Sequence, residues 1–136
     1  MRSTLLSLLT MVVCSSCSVL TPEPAEPQSA TAALLQSLEK KCEFDIKRTQ
    51  TDFPAALQGG PGFTCDTAWK ILLKDKGAVS FEYLVLGRLN LGEHVLQALA
   101  PMNGRYYDMH LIKVEHEGKL YYVEQWFDIT PYFKAM

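Results

Sequence analysis

Cys65, His110 and Glu124 are the residues of this chain whose types could combine in covalent chemistry. Cys65 follows the glycine-broken stretch "GGPGFT" and stands just after Thr64, a helix N-cap type, and just before Asp66, which complements a helix dipole. A thiol in the first turn of a helix is drawn toward its thiolate, from a pKa of about 8.5 into the range of about 3.5 to 7.5 when an imidazolium lies near. Three readings of Cys65 stand open: a nucleophile, half of a disulfide with Cys42, or an inert core thiol.

The elements that would position these groups follow from periodicity and punctuation. Leu34, Leu35, Leu38 and Cys42 recur at helical spacing, which predicts a helix over Ala32–Lys47 with Cys42 on its apolar stripe. Pro54, Gly59, Gly60, Pro61 and Gly62 mark a loop. Ala68, Trp69, Leu72 and Leu73 supply the buried face of a second helix that Cys65 opens and Gly77 stops. The β-branched and aromatic residues of "AVSFEYLVLGRL", Ala78 to Leu89, predict a strand. "GEHVLQALAPMNG" reads equally as a strand or a short helix.

"YYDMHLIKVEHEGKLYYVEQWFDI" is a hairpin signal with two possible registers. A two-residue turn at Glu117 and Gly118 sets His110 opposite Gln125 and mixes Lys119 with Ile112 and Val114. A three-residue loop, His116 to Gly118, pairs His110 with Glu124 and sorts the faces better, with His110, Ile112, Val114, Leu120, Tyr122, Glu124 and Trp126 together on the core side. That register is the expectation, because a histidine and a carboxylate on an apolar face can satisfy each other's hydrogen bonds.

A cysteine helix, a strand, a histidine at the head of a hairpin and an acid on the return strand resemble the core of transglutaminase-like and papain-like cysteine enzymes. "CDTAWKILLKDKGAVSFEYLVLG" resembles the cysteine helix running into the first sheet strand, and "HLIKVEHEGKLYYVE" the histidine strand, turn and acid strand. The resemblance spans roughly residues 60 to 126 and departs from the family in having Glu rather than Asp or Asn as third member and Leu111 rather than an aromatic after the histidine. It implies an α+β fold, N-terminal helices packed on a small antiparallel sheet. It also implies Cys65 as nucleophile, His110 as base and acid, Glu124 holding the imidazole tautomer, and Gln58 as oxyanion donor beside the backbone N–H groups of the cysteine helix. The reaction would be attack on a peptide or protein amide, resolved by water or an amine, with no cofactor.

The N-terminus speaks to location. Arg2 and "LLSLLTMVV" form a positive region and an apolar run too short to span a bilayer, which reads as an export signal over residues 1–16. "VCSSCS" resembles the lipobox of bacterial lipoproteins, which implies lipidation at Cys17 and a membrane anchor; Ser18 after it implies the outer membrane, facing the periplasm. Residues 17–32, rich in Pro, Ser and Ala, read as a tether, leaving 33–136 as one globular domain. With Cys14 and Cys17 accounted for, Cys42 and Cys65 remain as a possible disulfide, worth about 3 kcal/mol in the chain-entropy model.

That pairing defines the rival expectation: a non-catalytic periplasmic lipoprotein, an immunity or assembly factor that binds a partner protein. A formal net charge of -2 over 136 residues leaves no cationic footprint for nucleic acid. His94, His110 and His116 lack zinc-ligand spacing, so no metal is expected; His94 and His116 read as exposed. Tyr106, Tyr107, Tyr121, Tyr122 and Trp126 read as core and sheet-face packing.

Overall fold

The computed structural model describes residues 26–136. The export-signal reading of residues 1–16 and the lipidation reading of Cys17 therefore lie outside the described residues. No helix among the described residues is long and apolar enough to cross a membrane.

The chain is α+β. Strand β1 (Gln28–Ser29) leads into helices α1 (Ala32–Lys41) and α2 (Glu43–Asp52), then β2 (Leu57–Gly59), a 3-10 turn (Cys65–Thr67) and β3 (Trp69–Ile71). Helix α3 (Gly77–Leu89) precedes the three long strands β4 (Glu93–Met102), β5 (Arg105–His116) and β6 (Lys119–Asp128), and α4 (Thr130–Ala135) ends the chain. The sheet runs β2-β3-β6-β5-β4, with β1 also paired to β6. β1 and β3 lie parallel to β6, and the other pairs are antiparallel. The sheet is therefore mixed rather than purely antiparallel. The last residues read as tether are ordered in it, because Gln28 and Ser29 pair with Tyr121 and Tyr122.

The first helix is two. Thr31 caps α1 by accepting a hydrogen bond from Leu34 N, and the axis breaks at Cys42 before α2 continues to Asp52. Leu34, Leu38, Cys42 and Ile46 face the core as the periodicity predicts.

Two elements are exchanged relative to expectation. The segment after Cys65 makes a single 3-10 turn and then a strand, in which Trp69 and Ile71 are buried and Lys70 between them is exposed. Ala78–Leu89, expected as a strand, is helical: Ala78, Phe81, Val85 and Leu89 are buried at i, i+3, i+7 and i+11. Side-chain burial at 3.6-residue spacing outweighs the weak β propensity of Val79, Phe81, Tyr83 and Val85. The Asp75 side chain accepts from Gly77 N, and Asn90 ends the helix in the left-handed region at φ 47°.

The β5–β6 register is also corrected. The turn has two residues, Glu117 at φ 51° and Gly118 at φ 78°, both left-handed as the tightest hairpins require. His116 pairs with Lys119, His110 with Gln125, and Leu111 with Glu124. Lys119 costs nothing on the core side because it sits exposed at the strand end. Ile112, Val114, Val123 and Phe127 thus face the helices in one core cluster with Leu34, Leu38, Phe81 and Val85. Leu111, Tyr122, Glu124 and Trp126 face the other way.

The chain between α3 and β4 passes β5 so closely at Gly92 that a Cβ there would run into the backbone carbonyl of Lys113. Gly92→Ala should therefore destabilise the fold by about 1–3 kcal/mol, the usual range for overpacking, whereas Gly87→Ala, in a helix and with open space around its Cβ position, should lose nothing. Urea denaturation of the two variants checks the order.

Candidate functional site

The expected Cys65, His110, Glu124 constellation is not brought together. Because the side chains of a strand alternate between faces, the observed register sends His110 to the helix side of the sheet and Glu124 to the outer side. Cys65 shares the outer side with Glu124. Both line a groove with Leu111, Tyr122, Trp126 and Phe63. The thiol's polar neighbour there is the Tyr107 phenol, whose pKa is raised by burial first and then by the negative charges of Cys65 and Asp128. Glu124 accepts a hydrogen bond from Trp126 Nε1 at 3.0 Å rather than orienting an imidazole. Gln58 lies exposed on β2, opposite Lys70, and does not line the groove.

The possible disulfide is absent. Cys42 and Cys65 are both free. Cys42 is buried beside Leu38, Leu89 and Val114 on the helix side, its thiol pointing at Leu89 O at 3.9 Å and its pKa raised by burial and by Asp45. Val114 and Leu111 point to opposite faces of β5, so the two sulfurs lie on opposite sides of the sheet.

His110 has other partners. Its Nε2 lies 2.7 Å from Glu82 Oε1 and its Nδ1 lies 2.9 Å from His94 Nε2. His110 and Glu82 are both fully buried, while His94 on the edge strand is exposed. The ring of His110 is held edge-on between Tyr83 at 5.2 Å and Phe127 at 5.4 Å. Around this line, Gln97 donates to Asp108 Oδ2 and Tyr83 donates to Gln97 Oε1. The second carboxylate beside Glu82 is Asp108, to which the protonated Glu82 side chain is hydrogen-bonded.

Burial decides the charge states. Desolvation, and then the negative charge of Asp108, push Glu82 from 4.5 up to about 9. Desolvation, and then repulsion from His94, push His110 from 6.5 down to about 4. Both effects oppose an ion pair, so the contact at neutral pH joins a neutral carboxyl to a neutral imidazole. The tautomer of His110 sets which way the protons point along the two contacts, Glu82 Oε1 to His110 Nε2 and His110 Nδ1 to His94 Nε2. A continuous hydrogen-bonded line runs from a buried proton to an exposed imidazole.

Glu82 was passed over in the sequence because a strand reading puts it on a solvated face. The signal that could have found it is a lone acid inside the apolar stretch "AVSFEYLVL", one residue past the buried Phe81 on a helix. His94 offered no signal until β4 was aligned beside β5.

The pair makes stability depend on pH. Above 4.5 the unfolded chain releases the Glu82 proton that the native state keeps, so this group's contribution is complete below 4.5 and is lost as pH rises through about 9. His110 contributes in the opposite sense, fully above 6.5 and progressively lost as pH falls through about 4. Glu82→Gln keeps a donor toward His110 and removes the alkaline slope, which for one proton is about 1.4 kcal/mol per pH unit. The variant should gain on the wild type steadily between about pH 5 and 8 in urea titrations; parallel curves would show that Glu82 is ionised in the native state.

Comparison with protein-family models, with curated proteins and with solved structures finds no match to this chain, so its function is argued from the geometry of its own residues.

Proposed function

We propose that this chain is a binding domain of the bacterial cell envelope, anchored through lipid on Cys17, whose outer-face groove takes a basic side chain of a peptide or protein partner. The observation that carries the reading is the groove itself, about 380 Å³, where Tyr122 and Trp126 flank the lone carboxylate of Glu124. Aromatic faces beside a carboxylate suit a lysine or arginine, whose aliphatic stem packs on the rings while its charge meets the acid and the π surface. Ser29 and Ala30 border the same groove, so the partner would dock where the tether enters the sheet.

Amide chemistry of the transglutaminase-like kind is the weaker reading. The Cys65 thiol has a phenol rather than an imidazole beside it, and the only imidazole of the expected triad is fully buried on the far face. Without a base to take the thiol proton and return it to a leaving amine, the two-step acyl transfer lacks its proton carrier.

A short arginine-containing peptide titrated into the protein should perturb Trp126 fluorescence, and Glu124→Gln should weaken binding by about 1 kcal/mol, roughly fivefold, with Trp126→Ala costing at least as much. Equal binding by wild type and both variants would remove the groove from consideration. Iodoacetamide should label Cys65 in the native protein without reductant, and His110→Gln should leave the labelling rate unchanged; a large fall in that rate would restore the catalytic reading.

A further inference from the structure

The two edges of the sheet are treated differently by the fold. On the β2 edge the chain satisfies its own outward groups: Leu57 N donates to Phe53 O at 2.9 Å, and Gly59 O accepts from Gln50 Nε2 at 2.9 Å. That strand is also only three residues long. The β4 edge, last in the sheet order, runs ten residues from Glu93 to Met102. A long edge is a template for another strand unless it is covered or charged. From His94 to Met102 there is no lysine, arginine or carboxylate, and Val95, Leu96, Leu99 and Met102 stand 37–49% exposed.

The turn into β5 fixes which backbone groups of β4 point outward. Asn103 and Gly104, at φ 52° and 76°, form a two-residue turn, so the flanking Met102 and Arg105 exchange hydrogen bonds. Counting back in steps of two, Ala100, Ala98 and Leu96 bond to β5, while Pro101, Leu99 and Gln97 turn their backbone groups to the free edge. Among the described residues no backbone group outside the β4–β5 ladder meets those of Leu99 or Gln97. Pro101, with no N–H to offer, closes this open run at one end, and the bulge between His94 and Leu96 closes it at the other.

We propose that β4 pairs antiparallel with β4 of a second copy of this chain, about a two-fold axis at Ala98, joining the two sheets edge to edge. In this register Gln97 and Leu99 of one copy face Leu99 and Gln97 of the other, which makes four backbone hydrogen bonds and asks nothing of Pro101. The side chains match across the axis. On the outer face Ala98 meets Ala98, and Leu96 meets the small Ala100. On the helix side Leu99 of the second copy comes beside Gln97, whose amide oxygen holds the Tyr83 hydroxyl at 2.8 Å, and so covers the Tyr83 ring, now 45% exposed. Charge sets the direction. The one carboxylate of the strand, Glu93, stands at its start, so antiparallel pairing keeps the two copies of Glu93 at opposite ends, whereas parallel pairing would set like charges side by side.

Sedimentation equilibrium of the full chain tests the pairing. An edge of one strand belongs with the small, transient interfaces, so the wild type should pass from one chain to two at about 10–100 μM. Leu99→Lys, at a position already half open to water, should stay a single chain over that range, with circular dichroism and the urea midpoint unchanged. Ala98→Cys sets two thiols opposite each other across the axis, with Cβ atoms about 4.5–5.5 Å apart. Diamide, which takes up the two hydrogens as the S–S bond forms, should join two chains through residue 98, identified by peptide mass mapping. Ala100→Cys, whose two copies would lie about 14 Å apart along the strands, should not be joined through residue 100. A wild type that stays a single chain throughout the range would overturn the pairing and leave the edge to a different protein. A dimer that Leu99→Lys leaves intact would overturn the interface, and linkage through residue 100 in place of residue 98 would overturn the register.

Discussion

The two residues that turn β5 into β6 decide the chemistry of both sheet faces. With Glu117 and Gly118 both left-handed, the outgoing strand runs one residue further, to His116, than a three-residue loop would allow, and strand side chains repeat with period two. A slip of one position would exchange the faces, bringing Glu124 to His110 and sending Gln125 and Phe127 into solvent. The core excludes that alternative: Val123 and Phe127 have no exposed surface, and Gln125 is equally buried. Left-handed strain at Glu117 is a small local cost set against the burial of an entire strand face.

Polar groups that this register buries are each provided for. Gln125 accepts from Trp69 Nε1 and donates to Pro61 O, so an amide and an indole in the core satisfy one another. The same contact explains the glycine-rich loop. A Cβ on Gly60 or Gly62 would strike the Trp69 ring, and both glycines have positive φ. Room that could be read as a path for substrate is instead filled by an indole. At the other end of β6, Asp128 is buried but receives Arg105 Nε and both the amide and the hydroxyl of Thr130, which overcomes the desolvation that would raise its pKa and holds the carboxyl below its usual range.

Much of this was legible in the residues, and the failures share a cause. The apolar stripe that carries Cys42 and the long hairpin follow from periodicity alone, while the α+β class was what the resemblance implied. The strand reading of Ala78–Leu89 failed because β propensity was weighed above the helical recurrence of its apolar positions, with Asp75 and Asn90 unread as helix ends. With that segment read as sheet, Glu82 was not among the candidates, and His110 was left to be satisfied by the acid that a three-residue loop sets opposite it, Glu124. Its true partner comes from a helix that packs across the sheet, a long-range contact that no local pattern encodes. The register that sets Gln125 opposite His110 was set aside because it mixes Lys119 with Ile112 and Val114, while the partners that satisfy Gln125 in the core lie 56 and 64 positions away.

A histidine and a carboxyl buried together are costly to keep, and apolar residues of similar volume would commonly hold a core as well or better. A pair retained only for packing would close on itself, with every polar atom satisfied inside the core. Here the line does not close: from Asp108 and Glu82 at its inner end it reaches His94 on an exposed edge strand at its outer end. An open line of this kind connects solvent to a carboxyl that burial keeps protonated. The outer-face groove is lined by the aromatic rings of Phe63, Tyr122 and Trp126 and by one carboxylate, Glu124. The sheet thus separates two kinds of chemistry, one on each side, because the Glu117–Gly118 turn sets which residues of β5 and β6 share a face.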